Sequence, residues 1–321
     1  MQWAVSWNML FLFERKDFFS TMHISDFWSP SIVIMKERSI NQQVTNVAFF
    51  LTLCMKDKEL QLVGTPEAVC PPTALKLVKK KLTKDEEDLR WAQWLAGLID
   101  GDGCFLVSKR GSPSFEMTVH AKDEMVLRKV KQKYGGSLKA RAGLNSIRWR
   151  LHHKAGILSL CTDVNGFLRH PTRLLQFEKV CALLGLQKKD VDTLTPNHGW
   201  FRGMFDADGT VTLNWKGRSR PQITISVTQK YKQIPNYYIE VFGGSLYFDK
   251  SQNGYWRWRV QSQSMVLSMI EYFKLFPVLS SRRQKLFLVP RLYTAITLGR
   301  HKPTRKLHNE WLSLVQKWNA S

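Results

Sequence analysis

The chain has 321 residues, 44% of them hydrophobic, which is material for about two domains or pseudo-domains with ordinary cores. Its 48 Lys and Arg against 26 Asp and Glu give a formal net charge of +22, a footprint for a polyanionic partner, although basic surfaces also meet membranes and ribosomes. No stretch is apolar for long enough to span a membrane, and the five cysteines, Cys54, Cys70, Cys104, Cys161 and Cys181, have an odd count and no zinc spacing, so they read as buried or inert thiols in a reducing compartment.

Residues 1–82 stand apart as an N-terminal extension. They are rich in Trp, Phe and Met, carry a proline-containing stretch at 64–72, and turn basic at 76–81. A leader, a packing extension and a poor targeting peptide all fit, and Glu14 and Asp17 argue against a typical transit peptide. Weak order is the expectation.

Beyond the extension a nine-residue string occurs twice, as Leu95-Ala96-Gly97-Leu98-Ile99-Asp100-Gly101-Asp102-Gly103 and as Phe201-Arg202-Gly203-Met204-Phe205-Asp206-Ala207-Asp208-Gly209. One repeat at this long separation means two similar halves, 83–190 and 191–298, rather than a solenoid. Each copy reads as the end of an apolar helix. Thr83 with Glu86 has the spacing of a capping box, and the acids at 85–88 fill the first turn. Thr195 ahead of Pro196 is the corresponding start for the second helix, and Gly103 and Gly209 are natural stops. Gly97 with Gly101, and Gly203 with Ala207, place small residues on one face, where two helix backbones can approach closely.

Asp102 and Asp208 then lie in the last turns, beside the negative end of a helix dipole, and helices packed side by side would bring both carboxylates together. A hard divalent cation removes both penalties. One copy alone would read as an acid capping an exposed helix end; two in matched contexts point to a metal. Asp100 and Asp206 fall on another helical face and read as local hydrogen-bonding groups. Arg202 stands where the first copy has Ala96, so it has to turn away from the helix seam or loosen it.

After each string the pattern changes to period-two alternation. Strands are expected at 104–109, 115–121, 137–142 and 146–152, and again at 210–216, 222–228, 245–248 and 255–261. Gly135-Gly136-Ser137-Leu138 echoes Gly243-Gly244-Ser245-Leu246, and Arg148-Trp149-Arg150 echoes Arg257-Trp258-Arg259. Helical segments at 124–134 and 231–242 separate the strand pairs, and another follows each fourth strand. Each half is therefore α+β: helix, two strands, helix, two strands, helix. The tail, 299–321, is basic, then amphipathic from Trp311 to Trp318, and is expected to fold back on the second half.

The strand regions are basic. Lys109, Arg110, Lys139, Arg141, Arg148 and Arg150 line the first half, and Lys216, Arg218, Arg220, Lys250, Arg257 and Arg259 the second, with Asn145, Gln222, Tyr247, Asn253, Tyr255, Gln261 and Gln263 between them. Alternation puts one set of side chains on the helix-covered core and the other on an open face. Charges that neutralise phosphates, interleaved with amides that read base edges, suit a duplex. Any one of these residues by itself reads equally well as a solubilising charge.

The two strings resemble the signature of the LAGLIDADG homing endonucleases in their single-chain, two-motif form, and the resemblance extends over residues 88–295. It implies two pseudo-symmetric αββαββα halves, with the motif helices packed at the centre and antiparallel sheets forming a DNA-binding saddle. It further implies a monomer that cuts double-stranded DNA at a long site using Mg²⁺ (or Mn²⁺) on Asp102 and Asp208, encoded within an intron of a mitochondrion or chloroplast. Val227-Thr228-Gln229-Lys230 is similar to the family segment whose polar residue lies beside the metal and its water, which makes Gln229 a catalytic candidate. Ala121 stands at the matching place in the first half, so equal cutting of the two strands is in question; neighbouring His120 is directed to the other face and reads as structural. Basic residues beside the scissile phosphates would be Arg173 and Arg282, with Arg283 one register away, and phosphate binding without catalysis is an equal reading for them. Two alternatives remain: a maturase that binds its host intron RNA on the same fold, and a DNA-binding remnant that does not cut. Both motif acids are intact, which favours cutting.

Overall fold

A computed structural model describes residues 82–215, 220–251 and 254–321. The chain divides into two units, 1–77 and 78–321, and every described residue belongs to the second. The expectation of weak order for the extension, and Lys216, Arg218 and Asn253 on the second sheet, lie outside the described residues.

Helix α1 (Lys84–Asp102) begins at the capping box: Thr83 Oγ1 accepts the Glu86 N–H at 3.3 Å, and the Glu86 carboxylate accepts the Thr83 N–H at 2.8 Å. It stops where Gly103 turns extended and opens β1 (Gly103–Val107). There follow β2 (Pro113–His120), a 3₁₀ turn (Ala121–Asp123), α2 (Glu124–Tyr134), β3 (Ser137–Ala140), β4 (Ser146–Leu151), α3 (Lys154–Val164) and α4 (Pro171–Leu184). The second half repeats the order with α5 (Trp200–Asp208), β5 (Gly209–Asn214), β6 (Gln222–Gln229), α6 (Gln233–Phe242), β7 (Ser245–Asp249), β8 (Tyr255–Val260), α7 (Gln263–Leu275) and α8 (Arg282–Thr297). A final helix, α9 (His308–Ala320), closes the chain. The strands form two antiparallel sheets of matching order, β1-β2-β4-β3 and β5-β6-β8-β7.

This is the α+β arrangement of two similar halves anticipated above, with one addition. Two helices follow each fourth strand where one was expected, because the chain breaks at 165–170 and 276–281. In both breaks the freed backbone N–H groups are taken by a motif-helix acid: Arg169 N–H by Asp100 at 2.7 Å, and Leu279 and Ser280 N–H by Asp206 at 3.0 and 2.7 Å.

Three local readings need correction. The second motif helix starts at Trp200, not at Pro196: the Thr195 carbonyl accepts the His198 N–H in a turn at 3.1 Å. The helix end is served instead by His198 Nδ1, which accepts the Trp200 N–H at 3.0 Å, and by Gln93 of α1, which accepts the Gly199 N–H at 2.8 Å. Strand β1 ends at Val107, so Lys109 and Arg110 sit in the hairpin turn, closed by a Gly111 N–H to Ser108 carbonyl bond and by Gly111 at φ 80. Likewise β3 ends at Ala140, leaving Arg141 in the loop to β4, while Arg220 precedes β6 and Lys250 follows β7.

The core lies between each sheet and its helices. Phe115, Met117, Val119, Trp149 and Leu151 pack beneath the first sheet, and Ile223, Ile225, Val227, Trp258 and Val260 beneath the second. The repeated Gly-Gly acquires a reason here. Trp149 donates its indole N–H to the Gly135 carbonyl at 2.8 Å, and Trp258 to that of Gly243 at 2.7 Å. The next glycines, Gly136 and Gly244, have φ 87 and 98, and a Cβ on Gly136 would lie 2.4 Å from the Arg150 carbonyl. Cys161 and Cys181 are buried free thiols, both pushed up by burial, Cys181 to about 11. The tail packs on the second half through buried Trp311 and Trp318; Trp311 meets Trp215 edge-on at 5.5 Å. Among the described residues no helix is long and apolar enough to cross a membrane.

Candidate functional site

The small residues of the motif helices let α1 and α5 pack backbone to backbone. A Cβ on Gly97 would lie 1.9 Å from the Trp200 carbonyl, one on Gly203 1.9 Å from that of Trp94, and one on Gly101 2.3 Å from the Ala207 Cβ. Arg202 does not loosen this seam. Its guanidinium lies over the Trp94 ring at 5.4 Å, flanking the contact with its charge on an aromatic face.

Asp100 and Asp206 are hydrogen-bonding groups, but their partners are far from local. Asp206 accepts the indole N–H of Trp94 at 2.9 Å, and Asp100 that of Trp200 at 2.8 Å, so each motif helix is clasped by the other's tryptophan. Both tryptophans are fully buried. Burial pushes the Asp100 carboxyl up to about 7 against the lowering effect of its hydrogen bonds. The signal was present in the sequence: Trp94 and Trp200 each stand immediately before the repeated string, and extending it by one residue finds the pair.

Asp102 and Asp208 end their helices side by side, both partly buried. Burial first, then the charges of Asp208 and Asp123, push Asp102 up to about 7, while Arg282 and Arg173 oppose the shift. Burial raises Asp208 too, offset first by a hydrogen bond from Gln229 and then by the same two arginines. The Gln229 amide donates to Asp208 Oδ2 at 2.5 Å. The strand register corrects the expected match: Gly103 pairs with Met117 and Gly209 with Val227, so Val119, not Ala121, stands at the place of Gln229. Its apolar side chain offers nothing similar, and the Asp102 carboxylate has no hydrogen-bond partner among the described residues. Two crowded carboxylates held partly out of water, one without a donor, fit a hard divalent cation completed by water. Among the described residues no set of three His, Cys, Asp or Glu side chains could share an ion.

The arginines are disposed unequally. Arg282 donates to the carbonyls of Asp206 at 2.6 Å, Ala207 at 2.8 Å and Gly209 at 2.5 Å, closing the end of α5, and pairs with Asp123 at 3.6 Å. Arg173 is hydrogen-bonded to Gln176 at 3.3 Å. The backbone bonds to Asp100 and Asp206 fix the correspondence between halves: Arg169 matches Leu279, so Arg173 matches Arg283, which lies over the Phe287 ring at 5.2 Å. Arg282, one position earlier, is the residue that reaches the acids. His120 is exposed and accepts the Lys122 N–H at 3.1 Å, a turn-capping role. Asp123 was not among the residues singled out from the sequence, because at the start of a helix an aspartate reads as an N-cap.

On the open face of the sheets, cross-strand register builds matched rows. Glu116, Arg150 and Ser137 align across the first sheet, as do Thr118, Arg148 and Lys139. Ser226, Arg259 and Ser245 align across the second, beside Thr228, Arg257 and Tyr247. Glu116 draws in both first-half arginines, Arg148 at 3.4 Å and Arg150 at 3.3 Å. A hollow on the second sheet is lined by Thr212, Thr224, Tyr247, Arg257, Arg259 and Gln261. Lys109, Arg110, Arg141, Arg220 and Lys250 are exposed at the hairpin ends.

Two tight-packed motif helices, each delivering an acid beneath a pair of basic sheets, define a class, and sequence comparison agrees. The description "LAGLIDADG endonuclease" matches residues 95–184 and 201–292, and the chain belongs to this family. It is 38% identical to the intron-encoded RNA maturase bI4 of Saccharomyces cerevisiae over 97% of the chain and 52% of that protein. It is 37% identical to the probable intron-encoded endonuclease aI2 of Debaryomyces hansenii over 82% of the chain and 42% of that protein. The chain thus spans about half the length of these two relatives. Against the intron-encoded DNA endonuclease ai2a of Dictyostelium discoideum it is 32% identical over 75% of the chain and 78% of that protein. Its fold is similar to that of the meganuclease I-SmaMI bound to uncleaveable DNA, with a TM-score of 0.59 at 18% identity over 72% of this chain and 99% of the other. The LAGLIDADG homing endonuclease I-LtrWI bound to target DNA gives 0.57 at 16% identity, over 73% and 98%.

Proposed function

We propose that the chain is a monomeric, metal-dependent homing endonuclease that hydrolyses both strands of a long double-stranded DNA site and promotes the mobility of the organellar intron that encodes it. The observation that carries this reading is the meeting of Asp102 and Asp208 at the ends of two matched helices, both carboxyls raised by burial and Asp102 further by the charge of Asp208. Mg²⁺ (or Mn²⁺) bound there would supply Lewis acidity and an activated water. The chain's own residues do the rest. Asp102 and Asp208 hold the cation against the DNA, and Gln229 fixes the orientation of the Asp208 carboxylate through its amide. Arg282 and Arg173 offset the charge that builds on the phosphate as the bond to the 3′ oxygen breaks. Lys139, Arg148, Arg150, Arg257 and Arg259 on the strands contact the backbone and bases, joined by Lys109, Arg110, Arg141, Arg220 and Lys250 at the hairpin ends, and Lys216 and Arg218 are assigned the same role from the sequence.

The test is Mg²⁺-dependent cleavage of the intronless host allele, or of a randomised duplex library, by wild type, Asp102→Asn and Asp208→Asn. Double-strand cuts by wild type that vanish in either variant are expected. Tight duplex binding without any cut would remove the enzyme reading.

A second reading is supported by the relative named an RNA maturase, which matches 97% of this chain. On it the basic surfaces bind the host intron RNA and assist its splicing, with or without DNA cutting. Selective, saturable binding of the intron transcript over unrelated RNA of equal length is its signature.

A further inference from the structure

Asp123 occupies the N-cap position of α2 yet makes no capping bond to its own helix. Its carboxylate crosses to the other half, accepting the Ser281 N–H at 2.6 Å and pairing with Arg282 at 3.6 Å. The side chain is only 10% exposed, so a charged group has been diverted from its nearest donors and kept largely out of water, close enough for its charge to act on Asp102. An acid placed so needs its cation.

The arrangement occurs once. In the strand register Met117 matches Val227 and Val119 matches Gln229, so the counterpart of Asp123 is Gln233, an exposed and uncharged residue at the start of α6. The two turns after β2 and β6 therefore make different contributions to the centre. Gln229 serves Asp208 of its own half, while Asp123 reaches across to Arg282, whose other bonds all go to carbonyls at the end of the helix that carries Asp208. Asp208 has the Gln229 amide, whereas Asp102 has apolar Val119 at the matching place and feels Arg282 and Arg173 through their charge alone.

We propose that Asp123 is a positioning residue that holds Arg282 beside Asp208 before DNA arrives and thereby makes the two strand cuts unequal, the cut served by Arg282 being the faster. The inference rests on the reading of metal-dependent cutting above. The Asp123 carboxylate is taken up by the Ser281 N–H and the Arg282 guanidinium, so it acts through Arg282.

The experiment is single-turnover cleavage in Mg²⁺ of a duplex carrying a different label on each strand, with duplex affinity measured separately in Ca²⁺. Wild type, Asp123→Asn, Arg282→Gln and the double variant are compared. Asn keeps an oxygen for the Ser281 N–H and loses only the charge, and equal melting temperatures identify the folded variants. Asp123→Asn is expected to slow the faster cut roughly tenfold or more, because a small misplacement of a charge beside the reacting phosphate is costly, and to leave the other cut within about twofold. Arg282→Gln should slow the same strand, and the double variant no further, since both act on one group. The duplex affinity of Asp123→Asn, which removes no group that touches DNA, should stay within about twofold. Wild-type rates on both strands, equal slowing of both, or additive effects in the double variant would overturn the proposal while leaving the nuclease reading intact. A wild type that cuts neither strand would bring down both.

Discussion

Asp206 of one motif helix accepts the indole N–H of Trp94 from the other at 2.9 Å. The same carboxylate takes the backbone N–H groups of Leu279 and Ser280, so one buried acid joins the helix seam to the start of α8 and to Arg282 near Asp102 and Asp208. Asp100 repeats the device with Trp200 and Arg169. The first acid of each motif thereby fixes where the second acid sits. Asp206→Ala leaves three buried donors without an acceptor and is expected to destabilise the fold by about 3 kcal/mol or more. Trp94→Phe, which strands one lone pair and trims the ring, should cost about 1–3 kcal/mol. Urea titrations followed by tryptophan fluorescence measure both, and a Trp94→Phe midpoint equal to wild type would show that the clasp adds nothing.

The seam itself gives a sharper expectation. A Cβ at Gly97 or Gly203 would meet a backbone carbonyl carbon and oxygen, not the movable end of a side chain. Gly97→Ala must therefore spread the helices or prevent them from pairing, at a cost at the top of the overpacking range, about 3 kcal/mol. Gly199→Ala, whose Cβ meets nothing closer than 3.3 Å, is the contrasting case and should be much milder. Thermal melts of the two variants decide; a Gly97→Ala protein as stable as Gly199→Ala would mean the helices have more room than their packing indicates.

On the first sheet Glu116 pairs with Arg148 and Arg150, where the second sheet has Ser226 in the same row. If these arginines face phosphates, Glu116 weakens binding. Glu116→Gln is expected to raise duplex affinity severalfold and to steepen the salt dependence, whereas Arg150→Gln should lower the salt slope by about 1. Binding isotherms between low and moderate salt test this. An unchanged slope in both variants would take this face of the sheet out of the interface.

Much of this organisation was legible in the sequence, and the reason is the repeat. Glycines at helical spacing and alternation interrupted by turns are local codes, so α1, its capping box and all eight strands were readable from short windows. What escaped depended on partners distant in sequence. Thr195-Pro196 carried a good local start signal, yet α5 begins at Trp200 because Gln93 and His198 supply the missing acceptors from outside that window. Asp123 was not singled out from the sequence, and only the fold reveals that its carboxylate points to Ser281 and Arg282. Arg282 and Arg283 could not be told apart until the carboxylates of Asp100 and Asp206 fixed the register of the two breaks.

His170 provides a pH-dependent test of the packing next to the site. It is buried against Tyr231, with Nδ1 lacking a partner, and burial first and the charge of Arg173 second lower it to about 4. The unfolded chain takes up this proton near pH 6.5, roughly the free imidazole value, so between the two values the unfolded state binds more protons than the folded one. The neutral imidazole therefore contributes stability that is present above about pH 6.5 and lost as the pH falls towards about 4. Asp100 and Asp102, both raised to about 7, act in the opposite sense over the same range, losing stability as the pH rises, so the wild-type curve alone does not isolate the histidine. The difference between wild type and His170→Gln does. Urea titrations at pH 7.5 and pH 4.5, conditions chosen to bracket the transition, should show wild type losing about 1–3 kcal/mol more than the variant on acidification. Parallel losses in the two proteins would mean that His170 is solvated or finds a partner in solution, and that the Tyr231 contact is looser than its 5.1 Å ring separation implies.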